Sequence, residues 1–212
     1  MKTIALFWSG GLDSTYLLYK NLEEGNIVYA YYVRIENNND KMIEELNSIN
    51  KLKELFIEKY GDTFKYQDCI TSTHVFGHTH DNMIFKQVPS FIYASLWIDS
   101  TVEELQLGYV MNDDAISYLS DIKNIYNSFN VIRDGHIPEL VFPLTKINKQ
   151  QEYYALPEKY RKHIWYCENP IDHKPCNSCG SCKRFNYNFP NHNSIDNDMS
   201  MKAEDFEFII KG

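Results

Sequence analysis

Apolar residues follow two patterns along this chain: short continuous runs, and longer stretches in which they recur every three or four positions. The runs at residues 3–8 and 27–35 are rich in β-branched and aromatic residues and predict buried strands. Residues 64–70 and 104–109 predict two more strands, and residues 140–143 predict a short extended segment.

Helical spacing fills the intervals between these runs. Strands that alternate with helices predict an α/β fold with a doubly wound parallel sheet, which helices cover on both faces. Ligands of such sheets bind at the carboxyl ends of the strands, so the loops after residues 8 and 109 are expected to share one site. The predicted helices are residues 16–22 with a stop at Gly25, residues 42–60 before Gly61, a helix opened by Pro89 and continuing to Ile98, residues 115–129, and residues 148–156.

The composition is that of a globular chain of 212 residues, 43% of them hydrophobic. No apolar run approaches the roughly 20 residues of a membrane span, and the apolar start at residues 4–8 is too short for a signal peptide. A net charge of −8 disfavours a broad nucleic-acid-binding surface. We therefore expect a cytoplasmic protein with no membrane contact and no direct nucleic-acid partner.

The hexapeptide SGGLDS at residues 9–14 stands between the first strand and the first helix. Adjacent glycines let the backbone approach a ligand, and the amides at the start of the helix favour an anion such as phosphate. Asp13 would repel phosphate, and a Mg²⁺ ion between its carboxylate and the phosphates would remove the conflict. The alternative is a plain turn in which Ser14 caps the helix. The candidate ligand-binding residues are Ser9, Gly10, Gly11, Asp13 and Ser14.

Four of the five cysteines lie close together in the last quarter of the chain, with the spacing Cys-x8-Cys-x2-Cys-x2-Cys. In a reducing compartment, clustered thiols predict metal ligands rather than disulfides. Four thiolates complete a tetrahedral Zn²⁺ site with no open position, so one structural zinc per chain is expected. Four thiolates also hold iron–sulfur clusters, and the sequence leaves this alternative open. The candidate metal ligands are Cys167, Cys176, Cys179 and Cys182.

Three further features lie between these motifs. Asp113, in the turn after the fourth predicted strand, is expected to contact the substrate or ATP, with helix capping as the alternative. Lys146 follows a Pro-Leu segment and is expected to reach a phosphate, with a solvated lysine as the alternative. Residues 71–86 predict an active-site loop or a short insertion, and the three histidines are interpreted as polar loop residues because the cysteines already complete a metal site.

These motifs together are similar to those of a known enzyme family. The loop at residues 9–14 resembles the pyrophosphate loop of the N-type ATP pyrophosphatases, whose motif is Ser-Gly-Gly-x-Asp-Ser. Combined with the cysteine spacing, it resembles the QueC family of 7-cyano-7-deazaguanine synthases over residues 1–185. Residues 107–113 and 143–146 resemble two further segments of that family. The resemblance implies the Rossmann-like fold of the adenine nucleotide alpha hydrolases.

The resemblance also implies an ATP-dependent carbon–nitrogen ligase. Such enzymes convert 7-carboxy-7-deazaguanine and ammonia to 7-cyano-7-deazaguanine, for queuosine-type biosynthesis or DNA modification, with ATP and Mg²⁺ as co-substrate. ATP adenylates the carboxylate, ammonia displaces AMP, and a second activation dehydrates the amide. In this interpretation Asp13, Ser14 and Asp113 are catalytic, and the nucleotide is bound by Ser9, Gly10, Gly11, Asp13, Ser14 and Lys146.

The chain departs from the family pattern on the substrate side. Ser90 and Phe91 stand where the family has an Arg-Asn pair, and Phe185 stands where it has an arginine, with Arg184 one position earlier. One alternative is therefore a QueC-like nucleotide-binding protein with a changed substrate or lost catalysis, acting in phage or defence biology. A tRNA-thiolating or amidating enzyme of the same ATP class is a further rival, which the negative charge and the lone Cys69 disfavour.

The expected organisation is a nucleotide-binding domain at residues 1–160, followed by the zinc-binding segment and tail at residues 161–212. The apolar residues at 206–210 are expected to dock on the body of the chain or to contact a second subunit in a homodimer. If the protein is phage-encoded, the expected location is the host cytoplasm.

Overall fold

The computed structural model describes residues 1–35, 39–72, 83–111, 113–133, 137–190 and 192. Within these residues, five parallel strands form one sheet, which confirms the predicted α/β class. The chain adds its second and third strands on one side of the first strand and then adds its last two strands on the other side. Parallel sheets bind ligands at the point where the strand order reverses in this way. The strands are β1 (Thr3–Phe7), β2 (Ile27–Ile35), β3 (Phe64–Ser72), β4 (Glu104–Gln106) and β5 (Glu139–Val141), in the spatial order β3-β2-β1-β4-β5.

Helices connect the strands and cover the sheet. A 3-10 helix at Asp114–Tyr118 leads directly into the fourth α-helix. No helix in the described part of the chain is long and apolar enough to cross a membrane. The α-helices among the described residues are α1 (Leu12–Glu23), α2 (Asn39–Tyr60), α3 (Met83–Ser95), α4 (Leu119–Ser128), α5 (Lys149–Ala155), α6 (Glu158–Arg161) and α7 (Gly180–Asn188).

Alternation along β1 sends side chains into two separate cores. Leu6 points to the face covered by α1 and α2, where Phe185 and Phe189 of the C-terminal region join the same cluster. Ala5 and Phe7 point to the opposite face, which α3 and α4 cover. Both faces of the sheet are therefore buried, as expected of a doubly wound fold, and the region after residue 160 shares a core with the sheet.

Two predicted boundaries differ from the structure for physical reasons. The prediction that Pro89 opens a helix is wrong, because α3 begins at Met83 and contains Pro89 in its interior. Proline removes one hydrogen bond of the helix, and the burial of Ala94 together with the packing of Val88 and Phe91 on the sheet stabilises α3 despite this loss. β4 ends three residues earlier than predicted, because the chain turns over the start of α1, where Gly108 lies against the Asp13 backbone.

Candidate functional site

The glycine loop, residues 9–14, leaves the carboxyl end of β1 and enters α1. Gly10 has a φ of +72°, in the left-handed region that favours glycine. The Oγ atoms of Ser9 and Ser14 lie 3.3 Å apart across the loop, and the Ser9 N–H donates to Ser14 Oγ at 3.3 Å. Gly11, not Ser14, holds the N-cap position, and no side chain caps α1. The turn therefore leaves the start of α1 open to an acceptor from outside.

Two neighbours enclose the glycines from behind. A Cβ atom on Gly10 would stand 2.6 Å from Ser48 Oγ on α2, and one on Gly11 would stand 3.4 Å from the Trp165 carbonyl oxygen. Ser48 Oγ lies 3.0 Å from the Gly10 carbonyl oxygen, and the Trp165 N–H donates to the same oxygen at 3.0 Å. Position 10 therefore requires glycine for its φ and for space.

Asp13, in the first turn of α1, forms an ion pair with Lys149. The Lys149 Nζ lies 2.8 Å from Oδ1 and 2.6 Å from Oδ2 of Asp13. Lys149 is the first residue of α5, and Asn148 before it forms a capping box with Gln151, which fixes where the helix begins. Burial lowers the pKa of Lys149, but the carboxylates of Asp13 and Asp113 outweigh burial and raise it, so the ammonium stays charged.

Asp113 stands at the N-cap position of the 3-10 helix Asp114–Tyr118, yet its side chain does not cap that helix. Instead, its Oδ2 accepts from the Val110 N–H at 2.9 Å, and its Oδ1 lies 3.7 Å from Lys149 Nζ. Burial raises the pKa of Asp113, Lys149 opposes this change, and the carboxylate of Asp13 adds to it. Lys149 thus brings together two aspartates that follow β1 and β4.

Glu152 lies one helical turn after Lys149 and is fully buried. Neither of its carboxyl oxygens has a hydrogen-bond partner among the described residues. Burial, followed by the negative charge of Asp13, raises the pKa of Glu152 to about 10. The carboxyl group is therefore neutral at pH 7 and adds no negative charge beside the glycine loop.

Lys146 is exposed, and in the described part of the chain its side chain makes no hydrogen bond or ion pair. Its phosphate contact stays a prediction. The sequence pattern did not single out Lys149, the lysine that lies at the glycine loop. A signal was present, because Asn148 and Gln151 match a capping box and place the start of a helix at Lys149.

The four predicted metal ligands come together in the cysteine segment, residues 167–182, with all sulfur atoms within 4.8 Å of one another. Cys176, Cys179 and Cys182 donate their N–H groups to the preceding sulfur, at 3.3, 3.3 and 3.4 Å. Hydrogen bonds from Ser178 lower the pKa of Cys176 to about 6. Such donors favour the thiolate, the form that binds metal. These four residues fit a tetrahedral metal ion.

The sequence also predicts that Phe91, Tyr109 and Trp165 form the walls of a substrate pocket, and the structure places these residues in two regions. Phe91 and Tyr109 line an apolar cavity of about 10 Å³, which has room for one water molecule. Trp165 packs with Cys167 and Cys182, and its Nε1 donates to the Cys167 carbonyl at 2.9 Å. A pocket shared by all three stays a prediction. Other predicted parts of this region lie outside the described residues: His74, His78, His80, Asn112 and the Cys69 side chain.

No family model matches the chain, and no curated protein matches its sequence. Among solved structures, it is similar to a predicted subunit of tRNA methyltransferase from Methanocaldococcus jannaschii, with 14% identity, 73% of this chain and 75% of that chain covered, and a TM-score of 0.46. It is also similar to the U34-tRNA thiolase NcsA from Methanococcus maripaludis, solved with its 4Fe–4S cluster, with 19% identity, 90% and 67% covered, and a TM-score of 0.44. At these values, neither similarity bears on the ligands or the reaction of this chain.

Proposed function

We propose that this chain is an ATP-dependent carbon–nitrogen ligase that converts 7-carboxy-7-deazaguanine and ammonia to 7-cyano-7-deazaguanine. A carboxylate oxygen of the acid attacks the α-phosphorus of ATP, and pyrophosphate leaves. Ammonia then attacks the acyl carbon, and AMP leaves with the carboxyl oxygen to give the amide. A second ATP activates the amide oxygen in the same way, and loss of AMP and of both protons from the amide nitrogen gives the nitrile.

The ion pair of Lys149 and Asp13 at the glycine loop is the observation that carries the proposal. Backbone amides at the start of α1 favour the pyrophosphate, whereas a bare carboxylate beside them would repel it. The Lys149 ammonium, 2.6 Å from Asp13, neutralises this repulsion before ATP arrives. The Mg²⁺ ion that accompanies ATP then has an oxygen ligand in Asp13. We therefore prefer Lys149 to Lys146 as the lysine that contacts phosphate.

Asp113 and Arg184 supply polar groups for the acid. Burial raises the pKa of Asp113, and the positive charges of Lys149 and, less strongly, Arg184 oppose this rise. The Arg184 guanidinium is exposed and is proposed as the cation for the acid. A guanidinium pairs well with a carboxylate, and an aspartate accepts from the N–H and amino groups of a guanine-type edge. Phe185 is buried and stacks on Tyr166, with ring centroids 3.9 Å apart, so its side chain belongs to the core.

We propose zinc as the ion of the cysteine segment. Zn–S bonds of about 2.3 Å in a tetrahedron separate the sulfur atoms by about 3.8 Å, and the Cys176 and Cys182 sulfurs lie 3.9 Å apart. The thiolates of a cubane cluster bind four separate irons and therefore stand farther apart. A zinc ion with four thiolates has no open position, so it supplies structure. Colourless protein with one zinc per chain supports this assignment, and brown protein containing iron contradicts it.

The reaction is tested by pyrophosphate release from purified protein with Mg²⁺, ATP, ammonium and 7-carboxy-7-deazaguanine. We expect release that depends on the acid, and the amide and then the nitrile as products. Omission of the acid, or of ammonium, provides the controls, since release without amide formation would show adenylation alone. Absence of acid-dependent release, in protein that binds ATP, would overturn the substrate assignment and leave nucleotide binding intact.

The role of Asp113 is tested by Asp113→Asn. The amide keeps the size of the side chain but exchanges an acceptor for a donor, so we expect a loss of about 10–100-fold in acid-dependent kcat/KM, the cost of a hydrogen bond to a charged group. ATP affinity, measured by calorimetry, should change little. Equal losses of acid-dependent kcat/KM and of ATP affinity would mean that Asp113 contacts the nucleotide. Wild-type values of both would mean that Asp113 only stabilises the turn after β4.

A nucleotide-binding protein with a changed substrate is the second candidate, and one observation favours it. Ser90 is almost fully buried, and Phe91 packs on Phe7 with ring centroids 4.9 Å apart. These two positions, where the resemblance implies an Arg-Asn pair, therefore belong to the core and offer no cation to an acid. Pyrophosphate release with other planar acids, and none with the deazapurine acid, would favour this candidate.

A further inference from the structure

We propose that the cysteine segment positions the glycine loop through the Gly10 carbonyl, so that metal binding and nucleotide binding reinforce each other. The inference about the nucleotide rests on the proposed function, whereas the inference about the shape of the loop does not. The coupling assigns to Ser48 and Trp165 the role of positioning residues.

The Gly10 carbonyl oxygen is the point where outside restraints on the glycine loop converge. It accepts from the Trp165 N–H at 3.0 Å, and it lies 3.0 Å from Ser48 Oγ. Gly10 itself has a φ of +72°, in the left-handed region. A rotation of the same peptide would redirect the Gly11 N–H, which belongs to the surface expected to meet an anion.

Trp165 connects this carbonyl to the metal ligands. It stands two positions before Cys167, its Nε1 donates to the Cys167 carbonyl at 2.9 Å, and its ring packs with Cys167 and Cys182. Its own carbonyl oxygen would lie 3.4 Å from a Cβ atom at Gly11. Movement of the cysteine segment after metal loss would therefore displace both the donor to Gly10 and the wall beside Gly11.

Ser48 does not replace this restraint. Its Oγ lies 2.6 Å from the His163 carbonyl oxygen as well as 3.0 Å from that of Gly10. A hydroxyl has one proton, so it can donate fully to only one of these two acceptors, and the shorter distance favours His163. The Gly10 carbonyl therefore depends chiefly on Trp165, and this dependence makes the loop sensitive to the metal.

The first test measures the loop without nucleotide. Hydrogen–deuterium exchange is compared in the zinc-loaded protein and after chelation, with far-UV circular dichroism to show that the fold persists. We expect faster exchange at residues 9–14 on zinc removal and unchanged exchange in the paired strands β1 and β2. Unchanged exchange at residues 9–14, in protein that has lost its zinc, would overturn the proposal.

The second test measures the coupling. We expect the dissociation constant of Mg·ATP to rise about tenfold on zinc removal, the equivalent of one hydrogen bond. Because coupling between two ligands is reciprocal, saturating Mg·ATP should tighten zinc by the same factor, measured by equilibrium competition with a chelator on intact protein. The reciprocal measurement needs no stable zinc-free state. Equal zinc affinity with and without bound Mg·ATP contradicts the coupling, whereas no Mg·ATP binding to zinc-loaded protein contradicts the proposed function.

Two variants test whether zinc acts on the glycine loop through the Trp165–Gly10 hydrogen bond or through a general loosening of the cysteine segment. Ser48→Ala should leave the tenfold effect of zinc removal in place, because Ser48 donates chiefly to His163 and Trp165 supplies the main hydrogen bond to Gly10. Loss of the effect in this variant would contradict the path through Trp165. His173→Asn is the matched control: His173 is in the same cysteine segment, and the contact of its Nδ1, at 2.8 Å, is with Glu44 of α2 rather than with the glycine loop. Asparagine tolerates the φ of 61° found there. An unchanged factor in His173→Asn supports the path through Trp165, and a loss of coupling in this variant overturns it.

Discussion

The glycine loop and the cysteine segment are both sharp backbone turns with left-handed residues, yet they are stabilised in different ways. Side-chain and backbone groups from distant elements, Ser48 of α2 and Lys149 of α5 among them, hold the glycine loop from outside. In the cysteine segment, the N–H groups instead donate to sulfurs of the segment itself.

This difference indicates what each turn requires in order to keep its shape. The glycine loop has partners that the sheet and helices provide, so its geometry is expected to exist before a ligand binds. The cysteine segment brings four thiol groups together, two of them buried, in an arrangement that could hold a metal ion. The fold therefore supplies most of the contacts that preorganise the glycine loop, with the Trp165 hydrogen bond as its link to the cysteine segment, whereas the cysteine segment itself would depend on an ion.

The largest effect is expected when the ion is lost. Cys179→Ser should lower the free energy of unfolding by on the order of 5 kcal/mol, a part of the about 10–16 kcal/mol that structural zinc contributes in small zinc fingers. Chemical denaturation with and without added zinc measures this change. Lys183→Ala, an exposed substitution on α7, is the control. Wild-type stability and zinc content in Cys179→Ser would show that the segment does not depend on the ion.

The next effect concerns chemistry at the preformed loop. Asp13→Ala removes the expected Mg²⁺ ligand and should lower kcat by about 10²–10³, as loss of a preorganised charge-stabilising group does elsewhere. Ser14→Ala removes one hydroxyl and should cost less. Pyrophosphate release measures both variants, with circular dichroism as the check on folding. Undiminished turnover in Asp13→Ala would remove Asp13 from the metal-bridging role.

A smaller effect should appear when the space behind the loop is filled. Gly10→Ala places a methyl group 2.6 Å from Ser48 Oγ. Gly25→Ala is the control, because a methyl group at that position has no neighbouring atom within 4 Å. Both glycines have similar positive φ values, +72° and +77°, so both variants lose about 1–2 kcal/mol for the left-handed backbone. The additional loss of stability in Gly10→Ala measures the contact with α2. Equal losses would mean that the loop moves freely away from Ser48.

A change in how stability depends on pH is expected from the buried carboxyl under the site. The folded protein holds the Glu152 proton up to about pH 10, whereas the unfolded chain releases it near the ordinary value of 4.5. Between these values the folded state binds more protons, so stability falls as pH rises, by up to about 1.4 kcal/mol per pH unit. Glu152→Gln should remove this slope.

Urea denaturation between pH 5 and pH 9, a range below the raised pKa, measures the slope. The control is Glu158→Gln, on the exposed surface of α6, which should keep the wild-type slope. If Glu152→Gln and the wild type show parallel stability curves, the carboxyl is ionised in the folded protein.

The elements that could be predicted from sequence are those whose pattern is local. β2 has the predicted bounds because a continuous run of β-branched and aromatic residues fills it. α5 begins within one residue of its prediction, since Asn148 and Gln151 cap it. The prediction that a helix begins at Pro89 is wrong because the packing of α3 on the sheet outweighs the local preference of proline for the first turn of a helix.

The candidate site divides in the same way. The glycine loop and the four cysteines are local sequence motifs, and their residue types indicate anion binding and metal binding respectively. Lys149 is one of two lysines in a mostly polar stretch, with Lys146, and only the helix phase after Asn148 turns it towards Asp13. Glu152 follows Lys149 at a spacing typical of a solvated helix face, so its complete burial depends on tertiary packing that no local pattern contains.

The central position of β1 has a consequence for biosynthesis. Its residues pair with β2 on one side and, at Ile4 and Glu104, with β4 on the other, so the second half of this pairing waits until half of the chain has left the ribosome. The Trp165 donor to Gly10 emerges later still. Because pairings between distant parts of a chain form slowly and after local ones, nascent chains that end before residue 165 should bind nucleotide weakly. The glycine loop would then be among the first segments to be synthesised and the last to become able to bind nucleotide.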